Sequence, residues 1–475
     1  MVFSSLEFVL LFLPVSILGY YLLLRLGWKR YALLFILLAS FFYYAYWRVE
    51  NILLIFASIG FNYMLGNMLS SATKYRKPLF VAGIGCNLLA LFYFKYTMFA
   101  LETVNALSTA QLSVPQIVLP IGISFFTFQQ IAYLSDIYTG KHDPTGEGLL
   151  NYSLFVCFFP QLVAGPIVHH KEMMPQFASA QARIVNWENI YKGLILFSIG
   201  LAKKVLIADT LSPLVGYAFD QAGSLTFSEA LYASLCYTLQ LYFDFSGYCD
   251  MAIGCGLMLN IQLPWNFDSP YKATNIQEFW RRWHITLSRW LRDYLYIPLG
   301  GNRKGDIRTL GNLFLTFLLG GLWHGAAWTF VIWGAMHGAA LVVHRLWSRA
   351  GRQMVRPLAW LLTFAFVNLA WVVFRAKDMD CLRRFMDAFS GKNGIAMGME
   401  FIHKAKNIFI IPDIIVVSCL ICILLVICFV GMNSREILVR KDVKIVRLFF
   451  MLLCSISLIC ICVPDKSQEF IYFQF

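Results

Sequence analysis

The stretch Leu319-Gly320-Gly321-Leu322-Trp323-His324-Gly325-Ala326-Ala327-Trp328 decides how this chain is read. It lies within 309–344, a run without a single Asp, Glu, Lys or Arg. An imidazole inside a bilayer costs on the order of 2–3 kcal/mol or more if charged, so a His in such a run is a functional-site candidate. A neutral His satisfied by a helix neighbour is the plainer alternative. The three glycines and two tryptophans around His324 weigh against it, because they point to a tight turn or a close backbone approach.

Composition sets the class around this stretch. The chain is 59% hydrophobic and 14% charged, more apolar than a water-soluble core requires. Apolar runs recur at 6–24, 31–47, 52–70, 79–101, 149–168, 190–208, 357–375, 411–431 and 447–463. Each is long enough to cross about 30 Å of hydrocarbon as a helix. Strand alternation is absent at this scale, which argues against a β-barrel. The first run lacks a basic start and a small-residue cleavage site, so it reads as a span and not a signal peptide. The expected fold is an all-α polytopic membrane protein, one membrane domain over 1–475. The net charge of +13 collects between the spans, as cytoplasmic loops do, and implies no nucleic-acid partner. The twelve Cys fall mostly in apolar segments without zinc-site flanks; they read as small core hydrophobes, and no metal is expected.

Basic loops give the topology. Arg25–Arg30, Lys74 to Lys77 and Lys141 fall inside, whereas 102–115 has no Lys or Arg and falls outside. Three apolar stretches centred near 158, 199 and 245 then precede a basic segment that should again be inside. An odd number cannot return the chain to the same side, so one stretch is expected to be re-entrant or broken, with Pro160, Gly165, Pro166 and Pro213 as places for it. Segment 271–308 carries eight Lys or Arg against Glu278, Asp293 and Asp306. Phe279, Trp280, Trp283, Trp290 and Tyr294 are spaced like an interfacial helix at the cytoplasmic surface. The same segment can form an electropositive mouth for an anionic substrate such as the phosphates of coenzyme A, with Arg281, Arg282, Arg289 and Arg292 as ligands.

Gly311 to Trp323 is about thirteen residues, roughly 20 Å of helix and short for a span. Arg345 to Arg356 make the next loop basic too. Segment 309–343 therefore reads as a re-entrant hairpin with His324 at its turn. Such backbone is tolerated at depth only against protein or a water-filled cavity. An imidazole at the end of a cavity, above a cationic mouth, outlines an acyl-transfer tunnel.

At this point the residues resemble a known family, the membrane-bound O-acyltransferases, and most of all its bacterial alginate and peptidoglycan O-acetyltransferase branch. The likeness runs nearly end to end. It includes Met1-Val2-Phe3-Ser4-Ser5, Leu119-Pro120-Ile121-Gly122, Phe159-Pro160-Gln161-Leu162 and Gln240-Leu241-Tyr242-Phe243-Asp244-Phe245-Ser246-Gly247. Its most specific blocks are Glu278-Phe279-Trp280-Arg281-Arg282-Trp283-His284 and Gly321-Leu322-Trp323-His324-Gly325. The resemblance implies that His324 is the catalytic His and that His284 is the second site position, which is Asn in sterol and diacylglycerol acyltransferase relatives. It implies a ring of about eleven tilted helices, with re-entrant and interfacial pieces, around a thin core with a tunnel. It also implies a bacterial inner-membrane enzyme with an extracytoplasmic SGNH-type partner, the acetyl group ending on a polysaccharide.

The chemistry suits these residue types. An acyl thioester such as acetyl-coenzyme A is already activated, so transfer needs a deprotonated hydroxyl and help for the oxyanion. Neutral His324 can take the proton, and His284 can orient the thioester or donate to its carbonyl oxygen. His337 reads as a packed helix His facing the hairpin partner. Asp244 and Asp250 sit in an apolar context and need partners, with Arg281 or Arg282 as candidates. The basic residues 435–447 put the last loop inside, so both termini lie outside the cytoplasm. The ending Phe470-Ile471-Tyr472-Phe473-Gln474-Phe475 reads either as an interfacial anchor or as an acyl relay through Tyr472, because it is similar to the F-x-Y-x-x-F ending of cell-envelope acylation systems. A lipid-modifying acyltransferase is the rival within the enzyme class. A transporter or flippase is the rival outside it, since broken helices and a midplane His occur there too.

Overall fold

A computed structural model describes residues 1–71, 74–109, 111–144, 148–179, 184–406, 414–440 and 444–462, with the backbone alone for 403–406, 414–417 and 444–447. Tyr472 lies outside the described residues. The regular elements among them are all helical. Among the described residues four helices are long and apolar enough to span a membrane: Glu7–Arg25, Asn51–Ser71, Arg76–Leu107 and Arg356–Arg375. On the first, Leu10, Leu18 and Leu22 are 63%, 70% and 59% exposed, an apolar face that suits lipid. Of the buried and exposed cysteines, Cys86, Cys419 and Cys422 lie on exposed helix faces, so the reading of the cysteines as core residues holds only for others such as Cys157, Cys236 and Cys255.

The chain divides into two compact units. The first comprises Met1–Ser198 and Tyr248–Trp265. Its opening residues are part of the core: the buried Phe3 ring lies 4.7 Å from those of Phe8 and Tyr248. The apolar stretch 149–168 is not one span. It breaks at Phe158 into Leu149–Cys157 and the single turn Phe159–Leu162. Pro160 needs no donor there, and the Phe159 N–H donates to Ser40 Oγ at 3.1 Å, so the break leaves little main chain unsatisfied. The bend packs on a second turn, where Gly122 takes φ 74° and an added Cβ would lie 3.0 Å from the Leu162 carbonyl oxygen.

The second unit comprises Ile199–Gly247 and Asn266–Phe475. The stretch centred near 245 belongs to one helix of 32 residues, Phe227–Met258. Segment 271–308 is not a single interfacial helix. It forms the short helices Ile276–Arg282 and Ile285–Leu291, separated at Trp283 and His284. Phe279, Trp280, Trp283 and Trp290 are buried in protein, and Trp283 stands 4.8 Å from Trp371. The aromatic spacing thus records a core, while Arg281 and Arg292 face outward.

Around His324 the structure has two helices that pack on each other, both longer than the expected arms. Asp306–His324 has 19 residues and Trp328–Arg349 has 22, so the first is ~28 Å long, close to a bilayer core. Its glycines serve approach and not turn conformation. Gly325 has extended backbone, φ −159°, that any residue adopts. A Cβ on Gly321 would lie 2.3 Å from the Phe330 oxygen and 2.8 Å from Gly334 Cα, and one on Gly334 would lie 2.5 Å from the Phe317 oxygen. Asp306 Oδ1 and Arg349 Nη2, 2.6 Å apart, join the open ends. That hydrogen bond holds the Asp306 carboxyl below the usual carboxylate range.

This crossing generates a test. Gly321→Ala should destabilise the folded protein by about 1–3 kcal/mol, because main chain cannot yield as a side chain can. Gly311→Ala meets nothing within 4 Å and should be neutral or slightly stabilising. Thermal unfolding of both variants in one detergent checks the pair; equal midpoints would refute the crossing.

Candidate functional site

His324 is the last residue of its helix and is 7% exposed. The Gly321 crossing presses this end of the helix against the second arm, and an added Cβ at Gly325 would lie 2.0 Å from the Phe330 ring. The imidazole sits edge-on among Trp323 at 4.9 Å, Trp333 at 5.0 Å and Phe374 at 5.3 Å. Phe374 comes from the helix Arg356–Arg375. Three elements therefore surround the ring with aromatic carbon.

His284 arrives by a different route. It caps the helix Ile285–Leu291 with φ 45° and ψ 54°, left-handed values that a residue with a Cβ pays for by about 1–2 kcal/mol. Asn266 holds the turn. The Ile285 N–H donates to the Asn266 main-chain oxygen at 3.0 Å. Its side-chain oxygen accepts from Thr286 N and Thr286 Oγ1, at 3.2 and 3.0 Å, and lies 3.1 Å from His284 Nδ1. Phe245 from the long helix covers the His284 ring edge-on at 4.9 Å. His284 is fully buried, and its ring centroid is 6.5 Å from that of His324. Forty residues of sequence separate the two imidazoles, and the fold brings them together.

The arginines behave unequally. A polar recess of about 460 Å³ is lined by Asp268, Asn275, Gln277, Glu278, Arg281 and Arg282. Arg282 is committed within it, at 3.0 Å from Glu278 and hydrogen-bonded to the Asp268 main-chain oxygen at 3.1 Å. Burial works against the Glu278 carboxylate, yet hydrogen bonds from Thr274 and Arg282 carry its pKa below the usual value. Arg292 is held by its neighbour Asp293 at 2.7 Å. Arg281 is exposed at the recess, and Arg289 is half-buried on Ile285–Leu291. The recess thus balances two acids against two cations and is less electropositive than the composition of 271–308 suggests. It is tied to the imidazole: the Asp268 N–H donates to the Arg282 oxygen at 2.9 Å, and Asp268 is at most ~7 Å along the chain from Asn266.

His337 is a packed core His, as expected, but its partner is different. Its Nδ1 accepts from Trp280 Nε1 at 3.2 Å, so it faces the basic segment and not the hairpin arm. Asp244 pairs with neither Arg281 nor Arg282. Lys204 lies 2.8 Å from Asp244 and 2.6 Å from Asp209, all three side chains being nearly inaccessible. The signal was a lysine within the apolar run 190–208, a residue type that needs a reason at such depth. Asn266 was also missed. It sits in Trp265-Asn266-Phe267, with no periodicity to set it apart. Gly334 and Gly338 were missed as well, although their small-xxx-small spacing was a signal. Among the described residues no three His, Cys, Asp or Glu side chains are grouped to hold a metal ion.

The Lys204 triad anchors the part of the long helix that carries Phe245. Lys204→Met would leave two buried carboxylates without their cation, at a cost of about 3–5 kcal/mol. A large drop in thermal midpoint, or loss of monodisperse protein, is expected. An unchanged midpoint would mean that Asp244 does not rely on this lysine.

The profile of the membrane-bound O-acyltransferase family (MBOAT) matches residues 138–377, a range that holds both His284 and His324. The peptidoglycan O-acetyltransferase of Helicobacter pylori is 43% identical, covering 100% of this chain and 98% of its own. A protein named probable alginate O-acetylase from Pseudomonas aeruginosa is 44% identical, covering 82% of this chain and 74% of its own. The teichoic acid D-alanyltransferase of Bacillus subtilis is 27% identical over 54% of this chain and 69% of its own.

Proposed function

Because the chain belongs to the membrane-bound O-acyltransferase family, we propose that it is an O-acetyltransferase serving a polysaccharide outside the cytoplasm, peptidoglycan or an alginate-like exopolysaccharide. The observation that carries this reading is the buried pairing of His284 and His324, two imidazoles 6.5 Å apart in an aromatic enclosure. Two titratable rings at that separation can take a proton from an acceptor hydroxyl and return one to a leaving group. Family membership favours an enzyme over a transporter or flippase. Relatives named for polymers favour a polymer over a lipid acceptor.

In this reading the donor is acetyl-coenzyme A, approaching from the cytoplasm. Arg281 meets its phosphates at the recess, with Arg289, Arg292 and part of Arg282 adding positive potential. The chain acts as one membrane domain in a bacterial inner membrane, a ring of about eleven helices around a tunnel. Segment 271–308 lies at the cytoplasmic face, the hairpin 309–343 enters from it, and both termini are extracytoplasmic. Tyr472 receives the acetyl group and passes it to an SGNH-type partner. A phenol, with an unperturbed pKa near 10, deprotonates more readily than a serine hydroxyl and gives an ester activated for onward transfer.

His324→Ala and His284→Ala should each lower O-acetyl content of the cell's polymer by at least about 10²-fold at equal membrane protein level. Polymer that stays fully acetylated would sink the reading. The relay has its own check: Tyr472→Phe keeps the aromatic tail and should abolish polymer acetylation, and mass spectrometry should find acetyl on Tyr472 when the partner is deleted. An active Tyr472→Phe protein would end the relay while leaving the imidazole pair intact.

A further inference from the structure

The helix Trp328–Arg349 carries a buried stripe that includes Trp333 and, one turn further on, His337. They are 1% and 0% exposed. The hydrogen on His337 can be located from its neighbour. Its Nδ1 lies 3.2 Å from Trp280 Nε1, and an indole N–H only donates. Nδ1 is therefore the acceptor, and in the neutral ring the hydrogen sits on Nε2. That Nε2–H is buried without a hydrogen-bond partner among the described residues, and so is the Trp333 indole N–H. Two donors thus stand open on one helix face, about 6 Å apart along its axis. A buried donor left open costs about 1–3 kcal/mol, a loss that an incoming acceptor relieves. The Trp333 ring lies 5.0 Å from that of His324, and His337 is bonded to Trp280, the residue before Arg281 of the recess. His284 is as inaccessible as either donor, so whatever reaches the imidazole pair opens the same aromatic packing.

We propose that these two N–H groups bind the pantetheine arm of the acetyl donor, Trp333 meeting the thioester carbonyl oxygen and His337 the oxygen of the first amide. The inference rests on the acyl-transfer reading above and assigns donor recognition within it. In an extended pantetheine thioester the two carbonyl carbons are roughly 6 Å apart, which matches one turn of spacing on the helix. Both ligand oxygens are acceptors with no hydrogen to give, and both protein groups are donors. Trp333 takes the thioester because its ring packs on His324, the group that accepts the proton of the acceptor hydroxyl. As that proton passes to His324, the hydroxyl oxygen bonds the carbonyl carbon and negative charge develops on the oxygen that the indole N–H meets. A donor already in place counts most at that moment. The C–S bond then breaks, its electron pair leaves on sulfur, and the thiolate takes the proton back from His324. Ester and thiol are the products, and neither Trp333 nor His337 exchanges a proton. A carbonyl oxygen has two lone pairs, so His284 keeps its own access to it.

Transfer of radiolabelled acetyl into polymer, by membranes that carry the full-length protein, tests this with two small thioesters. S-acetyl-N-acetylcysteamine keeps the first amide of the arm, and S-pentyl thioacetate has the same length without it. The wild type should use the amide-bearing thioester with a kcat/KM about 10-fold higher or more. His337→Phe should erase that difference, while His337→Gln, which keeps an acceptor for Trp280 and an N–H donor, should retain it. A merely structural role for His337 would lower transfer from both thioesters alike and leave their ratio unchanged. Trp333→Phe keeps the aromatic packing and should lower kcat by about 10²-fold with both thioesters, with KM little changed. If His337→Phe or Trp333→Phe does not fold, the wild-type comparison and His337→Gln still decide. Equal use of the two thioesters by the wild type, an unchanged ratio in folded His337→Phe, or wild-type kcat in folded Trp333→Phe overturns the proposal. A wild type that transfers acetyl from no thioester, acetyl-coenzyme A included, defeats the acyl-transfer reading and this inference with it.

Discussion

Where the helices Asp306–His324 and Trp328–Arg349 cross, Gly321 and Gly334 bring main chain against main chain, and the position of His324 follows from that contact. No rotamer can be adjusted at such a crossing, so it fixes axis separation more tightly than interlocking side chains would. The first helix ends at His324, three residues beyond the crossing, which leaves the imidazole little freedom to drift. The exposed Asp306–Arg349 pair at the other end adds little by comparison, since water screens such pairs and salt weakens them further. The hairpin is thus held by shape at its buried end.

The second imidazole depends on a different kind of force. His284 sits on strained main chain, and the strain is offset by hydrogen bonds that converge on one buried amide. Around both rings the protein supplies mainly aromatic carbon from Phe245, Trp323, Trp333 and Phe374. In such surroundings a proton held in the wrong place is costly, because little nearby can screen it. Few polar partners and strict placement are therefore two sides of one arrangement. The Lys204 triad follows the same logic beside Phe245, with a charge buried only where opposite charges meet it.

Some of this was legible in the residues. The Gly-flanked His324 pointed to a close backbone approach, and Gly321 and Gly334 make one beside it. The pairing of His284 with His324 followed from a family resemblance and not from spacing, since forty residues carry no information about distance without a fold. Segment 271–308 misled in an instructive way. Alternating aromatic and basic residues describe an amphipathic surface equally well whether the aromatic side meets lipid or protein, and here Trp283 meets Trp371. Asn266 was invisible because a single polar residue between aromatics has no pattern. Its role exists only once two segments distant in sequence lie side by side.

The left-handed backbone at position 284 acts as a filter on chemistry. With φ at 45°, branched and bulky side chains are strained there, and the residues that occupy such backbone most readily, apart from glycine, are Asn, Asp and His. All three carry a short polar group that can be clasped by a neighbouring amide. His284, and the Asn that the resemblance implies for some relatives, both belong to that short list. Local geometry narrows the alphabet at position 284 before any chemistry acts on it.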